Sequence, residues 1–221
     1  MSKAPKKTSD NILTKKEIQN ILDFSMEANE LKLVERYSEL KKHNKEFWGD
    51  YSAGHSWRLA LLILLFTDDV KEDLDIKKML ELAVIHDIAE TLTGDIDAWL
   101  VDEGIIKKVD KHRDEQKALK ELLKNLPTKL QEKIKNIWNE YEEAKTKEAR
   151  FVKVLDKVEA QTHMLSQDLD DKYDVPDFIL RYADKPVSKC SRLKPVMDIV
   201  KSELLEDFKK RGIKYHKPKN L

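Results

Sequence analysis

The sequence predicts an all-α protein, and three observations carry that prediction. Glycine and proline are scarce, at 5 and 6 among 221 residues, so few turns interrupt the chain. Charged residues reach 38%, in Lys- and Glu-rich stretches of the kind that cover exposed helix faces. Apolar residues recur three and four positions apart in successive segments, the period of an amphipathic helix. The length fits one domain with extensions rather than two full domains.

The elements follow in order. Residues 1–10 carry three lysines and Pro5 with no apolar face to bury, which predicts a flexible basic tail. Thr14 and Glu17 then have capping-box spacing, and Ile18, Ile21, Leu22 and Met26 recur at helical spacing, so one or two amphipathic helices are expected over 15–42. The segment KKHNKEFWGDYSAG, 41–54, has no clear period and reads as a loop. A buried helix is expected from about Gly54 to Phe66. After TDDVKEDLD comes a strongly apolar helix from about Ile76 to Leu92, ended at Thr93 and Gly94. Residues 105–126 and 128–144, parted by Pro127, read as an antiparallel helix pair. From Lys147 to about Gln167 a helix carries Phe151, Val152, Leu155, Val158 and Met164 on one side. The remainder, 168–221, reads as a helical extension: an acidic linker, a short segment at Phe178–Tyr182, a helix near 195–210 and the basic tail HKPKNL.

Composition excludes several functions. Lys plus Arg and Asp plus Glu number 42 each, so no overall field draws the chain to nucleic acid or to an anionic membrane, and nucleic acid is not an expected partner. The longest apolar run, LALLILLF at 59–66, is far short of the roughly 20 residues a membrane span needs. Cys190 is the only cysteine, which rules out an intramolecular disulfide. The start MSKAPKKTSD lacks the apolar core of a signal peptide, so the expected compartment is the cytoplasm.

The chemistry concentrates in VIHDIAETLTGD, 84–95. On a regular helix His86 and Glu90, four apart, share a face, and Asp87 is turned from His86 by about 100°. One site takes all three only near a helix junction. His55 at the start of GHSWRLALLILLF and Asp156 in FVKVLDKVEA sit in equally apolar settings, where an unpaired imidazole or carboxylate is costly to bury. A divalent metal resolves these costs together, because coordination replaces the lost hydration of His55, His86, Asp87 and Asp156. Such mixed nitrogen and oxygen ligands suit cobalt, manganese, iron, nickel or zinc better than magnesium. His112, within KKVDKHRDEQK, reads as a solvated surface residue, so one ion is expected.

The order His, then His-Asp, then Asp, each on an apolar helix, resembles the HD-domain metal-dependent phosphohydrolases, and more closely their 5′-deoxynucleotidase branch. The resemblance runs from about Leu31 to Gln167 and rests on AGHSWRLAL, AVIHDIAETLTGDI, KHRDEQKALKELL and EARFVKVLDKVEA. It implies a single HD-domain helical bundle over 11–167, with His55, His86, Asp87 and Asp156 as ligands of one divalent ion. It further implies Glu90 and Asp95 as catalytic carboxylates beside the ion, and Arg36 as the holder of substrate phosphate, a role for which a planar guanidinium is suited.

The expected reaction is hydrolysis of a nucleoside 5′-monophosphate, with a preference for the deoxy sugar, to nucleoside and phosphate. His163, two turns past Asp156, could face the same cavity but receives no role from the resemblance. A homodimer is expected from the family and from the surplus of amphipathic helix. Two alternatives stay open: a phosphodiesterase or nucleoside triphosphohydrolase on the same scaffold, and a nucleotide-binding module without turnover. The pairing of Glu90 with Asp95 weighs against the second.

Overall fold

The structure is a computed structural model that describes residues 13–38, 50–67, 74–167 and 175–216. The N-terminal basic segment, 41–49 of the expected loop, most of TDDVKEDLD, the acidic stretch at 168–174 and the tail from 217 lie outside the described residues. Among the described residues the regular elements are helices, and the extended pairing is a single bridge between Glu35 and Tyr51.

The helices are α1 (Lys15–Ala28), followed by a 3-10 turn at Asn29–Leu33, then α2 (Ser52–Thr67), α3 (Ile76–Ile85), α4 (Glu90–Thr93) and α5 (Ala98–Asp102). After these come α6 (Lys108–Leu123), α7 (Thr128–Glu143), α8 (Lys147–Ser166), α9 (Pro176–Arg181), α10 (Asp184–Lys189) and α11 (Lys194–Arg211). Side-chain caps start several of them. Thr14 and Glu17 form the expected capping box, Asp75 accepts from the Lys78 N–H, and Thr146 accepts from the Ala149 N–H. Each satisfies an amide that the helix itself leaves without a partner.

Helix α8 is the axis of the fold. Its apolar residues do not form the single stripe expected from the sequence, because α2, α3, α7, α10 and α11 pack around it. Phe151, Val152, Val154, Leu155 and Val158 are all buried, as are the polar residues Asp156, Glu159 and His163. The principal core joins these residues to Leu59 and Ile63 of α2, Met79 and Leu82 of α3, and Met197, Leu204 and Phe208 of α11. A smaller cluster gathers Leu119, Leu122 and Leu123 of α6 and Trp138 of α7 around Ile88 and Ala89.

Four expectations need correction. The helix expected to run unbroken from Ile76 to Leu92 ends at Ile85, and residues 86–89 form turns before α4 begins. There the amides of Ile88, Glu90 and Leu92 reach back three residues, to Ile85, Asp87 and Ala89. In such tight turns residues three apart eclipse, which brings Asp87 to the same side as Glu90, and His86, Asp87 and Glu90 all line one cavity. On α1, Ile18, Leu22 and Met26 are exposed, and the face that packs carries Ile21, Phe24 and Ala28.

Helix α2 is buried along one stripe, Ser52, His55, Ser56, Leu59, Ile63 and Thr67, while Trp57, Leu61, Leu64 and Leu65 face outward. The run LALLILLF therefore serves one face only. Finally, α5 and α10, whose residues carry no apolar period, form helices of five and six residues that no sequence signal marked. No helix among the described residues is long and apolar enough to cross a membrane.

Because Phe208 is fully buried beside α8, Phe208→Ala is expected to lower stability by about 3–5 kcal/mol, measured by urea denaturation. A change below about 1 kcal/mol would show that α11 does not share the core of α8.

Candidate metal centre

The packing of α2 and the end of α3 against α8 brings His55, His86, Asp87 and Asp156 together. His55 Nε2 lies 3.3 Å from His86 Nε2, 3.2 Å from Asp156 Oδ1 and 3.8 Å from Asp87 Oδ2. His86 Nε2 is 3.0 Å from Asp87 Oδ2. His55, His86 and Asp156 offer ligand atoms that all lie within 4.8 Å of one another, and all three are buried.

The hydrogen bonds behind these atoms fix which nitrogen faces inward. His86 Nδ1 donates to the Ala83 carbonyl at 2.9 Å, and His55 Nδ1 donates to the Glu159 carboxylate. Both imidazoles thus keep their proton on Nδ1 and present the Nε2 lone pair to each other. Two lone pairs at this separation repel unless a proton or a metal ion lies between them. Ligands about 2.1 Å from one ion stand about 3.0 Å apart at right angles and about 3.4 Å apart at the tetrahedral angle. The spacings His55 Nε2 to His86 Nε2, His55 Nε2 to Asp156 Oδ1 and His86 Nε2 to Asp87 Oδ2 fall in that range, and the 3.8 Å between His55 Nε2 and Asp87 Oδ2 is wider. His55, His86 and Asp156 therefore fit a divalent ion, with Asp87 beside them.

Further bonds orient the acids. Asp156 Oδ2 accepts from the Tyr141 hydroxyl at 2.6 Å and from Lys157 Nζ at 2.9 Å, which leaves Oδ1 for the centre. Burial works against ionisation of Asp156, but Lys157 and His55 outweigh it and hold the carboxyl well below the usual range. Asp87 is likewise held low against its burial by His86, His55 and Arg36.

Glu90 is buried on α4 and accepts from Ser52 Oγ at 2.7 Å. Burial, with repulsion from Asp87 and Asp95, raises its carboxyl well above the ordinary value, opposed by Lys111 and Ser52. Asp95 follows Gly94, whose φ of 72° is open to glycine at little cost, and this turn sets Asp95 at the rim, half-buried. Arg36 is buried, with Nη1 3.0 Å from Asp50 Oδ2 and 3.3 Å from Glu159 Oε2. All seven residues singled out in the sequence line one cavity of about 1450 Å³.

Other polar residues of the sequence fall elsewhere. His112 is half-buried rather than solvated, stacked on Trp138 at 5.2 Å with Nδ1 3.4 Å from Glu142. With Glu115 and Glu142 it forms a second group of close ligand atoms, but Lys111 pairs with Glu115 and Lys153 with Glu142, each at 3.4 Å, so cations already balance the acids. His163 stacks on Tyr37 at 5.5 Å and is not among the residues lining the cavity. Ser52, Asp50, Tyr141 and Lys111 touch the site without a sequence signal. Glu159 had one: it is an acid one turn past Asp156 on the same helix, next to the apolar Val158 and Ala160.

A sequence model described as HD domain matches residues 28–185, more than half of the chain. The chain belongs to the HD domain family. Among its relatives is the 5′-deoxynucleotidase HDDC2 of Bos taurus, 33% identical over 141 residues, covering 64% of this chain and 64% of that protein. Another is the 5′-deoxynucleotidase YBR242W of Saccharomyces cerevisiae, 35% identical over 154 residues, covering 67% of this chain and 60% of that protein. The chain thus spans less than two thirds of the length of these curated relatives. The HD domain fold recurs in a predicted metal-dependent phosphohydrolase of Magnetospirillum magnetotacticum, with a TM-score of 0.70 at 24% identity, covering 90% of this chain and 96% of that one.

Burial and Arg36 both depress His55, yet the hydrogen bonds to Asp156 and Glu159 prevail and raise it to about 9 in the metal-free protein. A metal ligates only the neutral ring, so it must displace that proton. Metal affinity is therefore expected to rise about tenfold per pH unit below 9 and to level off above, measured by chelator competition. A flat profile from about pH 6 to pH 9 would refute this proton competition.

Proposed function

We propose that the protein is a metal-dependent phosphomonoesterase that hydrolyses nucleoside 5′-monophosphates, with a preference for the deoxy sugar. The observation that carries this reading is the pair of inward-facing Nε2 atoms flanked by Asp87 and Asp156, with Glu90 and Asp95 on the same cavity wall. The names of the relatives supply the substrate class. In this reading His55, His86, Asp87 and Asp156 hold one divalent ion, of the cobalt, manganese, iron, nickel or zinc type rather than magnesium.

When bound, the ion supplies Lewis acidity that polarises the phosphoryl group and makes water easier to deprotonate. The protein's own groups do the rest. Glu90 is buried and steadied by Ser52, and its carboxyl is raised well above the ordinary value by burial and by Asp87 and Asp95, so it is suited to take the proton of the attacking water. Asp95 at the rim would contact the sugar or return a proton to the departing 5′ oxygen. Arg36 supplies a fixed positive charge to the phosphate, held in place by Asp50 and Glu159.

Residues 11–167 then carry the chemistry, and 168–221 form an extension whose helix α11 braces α8. The reading includes a cytoplasmic homodimer, supported by the outward apolar stripe Trp57, Leu61, Leu64 and Leu65 on α2, a face that a second copy would cover.

Three outcomes test this. His86→Ala should abolish phosphate release and metal retention together, whereas Glu90→Gln should keep the metal and lower kcat by about 10²- to 10⁴-fold. Activity in fully metal-stripped protein would refute the reading. Across mono-, di- and triphosphates and a phosphodiester, free phosphate should come from monophosphates; release of pyrophosphate or of a nucleotide would favour the triphosphohydrolase or phosphodiesterase instead, and no product at all the binding module. Light scattering should give twice the mass of the chain, and Trp57→Lys with Leu65→Lys should halve it; a wild-type monomer would overturn the dimer.

A further inference from the structure

Glu159 enters the mechanism above only as a partner of Arg36, yet it is fully buried and touches both halves of the centre. Its Oε2 accepts from His55 Nδ1 and, at 3.3 Å, from Arg36 Nη1. Arg58 Nη1 stands 3.0 Å from Oε1 as an ion pair, although that oxygen accepts no hydrogen bond. Two arginines and an imidazole keep Glu159 ionised and below its ordinary range despite its burial. It follows Asp156 by three residues on α8, so one helix face carries both a candidate ligand and the acid behind a different ligand.

The chain around it is arranged to bring both partners to this carboxylate. The amide of Arg36 donates to the Asp50 carbonyl at 2.9 Å, and that of Ser52 to the Val34 carbonyl at 3.0 Å. This short antiparallel clamp ties the segment bearing Arg36 to the start of α2, one turn before His55. Tyr37, next in sequence, sits at φ 58°, a left-handed conformation costly for a non-glycine residue. Its hydroxyl bonds the Ala160 carbonyl at 3.2 Å, which anchors the same segment to α8 beside Glu159.

We infer that Glu159 is a positioning residue for two groups at once: it fixes the His55 ring with Nε2 toward the metal centre, and it holds the Arg36 guanidinium at the phosphate end of the cavity. The inference rests on the reading of the site as a metal-dependent phosphatase. An acid behind a metal-binding histidine sets its tautomer and orientation, and removing it typically weakens metal affinity by about 10- to 100-fold. A carboxylate shared with the phosphate-binding arginine would make the same substitution visible in substrate affinity as well.

The test compares Glu159→Gln, which keeps shape and loses charge, with Asp50→Asn, which removes the ion pair with Arg36 but takes no hydrogen bond from His55. Zinc affinity is measured by chelator competition, without substrate, and KM and kcat are then measured at saturating zinc. Glu159→Gln should weaken zinc by about 10- to 100-fold and should still show a raised KM once zinc is saturating, with kcat largely restored. Asp50→Asn should raise KM and leave zinc affinity within about twofold. Met197→Ala, a cavity variant of the same core, should lose stability without losing zinc, which separates positioning from general destabilisation. Should Glu159→Gln not fold, Glu159→Asp, which keeps the charge and shortens its reach, should give the same two effects at smaller size. Unchanged zinc affinity in a folded Glu159 variant would overturn the inference while leaving the phosphatase reading intact. A wild-type protein that binds no zinc or other divalent ion would overturn both.

Discussion

The rest of the structure depends on the burial of the His55 imidazole. A ring with no access to water must have both nitrogens satisfied, or the fold loses several kcal/mol. One nitrogen is satisfied by Glu159 from α8, the other faces His86 and two acids, and neither arrangement exists unless α2 lies directly against α8. The buried stripe of α2, with Leu59 and Ile63 beneath His55 in the chain, sets that contact. The apolar core therefore has a second task besides stability: it holds charged groups at separations where only a cation reconciles them.

The buried charges form a chain of mutual dependence. Glu159 is ionised because Arg36, Arg58 and His55 surround it, and Arg36 stays in place because Glu159 and Asp50 share its Nη1. Asp156 is steadied by Lys157 and Tyr141, and Lys157 in turn by the Tyr182 hydroxyl at 2.8 Å. Each member is acceptable in the interior only while its partners are present, as with buried ion pairs generally. Such a network adds little net stability, but it permits few alternative geometries, and a metal centre requires a fixed one.

The four candidate ligands were legible because their residue types are anomalous where they stand: an imidazole or carboxylate inside an apolar helix needs a reason. Helix limits were legible wherever a side-chain cap marked them, as at Thr14. The break after Ile85 was not, because VIHDIAETL keeps a helical apolar period across a tightening set by hydrogen bonding rather than by composition. The packing face of α1 was missed because Ile18, Leu22 and Met26 make as good a stripe as Ile21, Phe24 and Ala28, and only the surroundings decide between them. Ser52 and Tyr141 were invisible for the opposite reason, being ordinary residues that matter only through distant partners. Glu159 lay between these cases, an anomalous acid whose neighbour Asp156 already accounted for the anomaly.

The walls of the cavity differ in how they are held. Asp156 projects from α8, which is packed on nearly all sides and backed by α11. Elsewhere the cavity is lined by α5, a short helix with no buried residue. Substitutions on the first wall disturb core and ligands together, whereas those on the second change shape and charge at the mouth with little effect on either. The fold thus separates residues whose side chains serve the core and the candidate ligands together from residues that only shape the mouth.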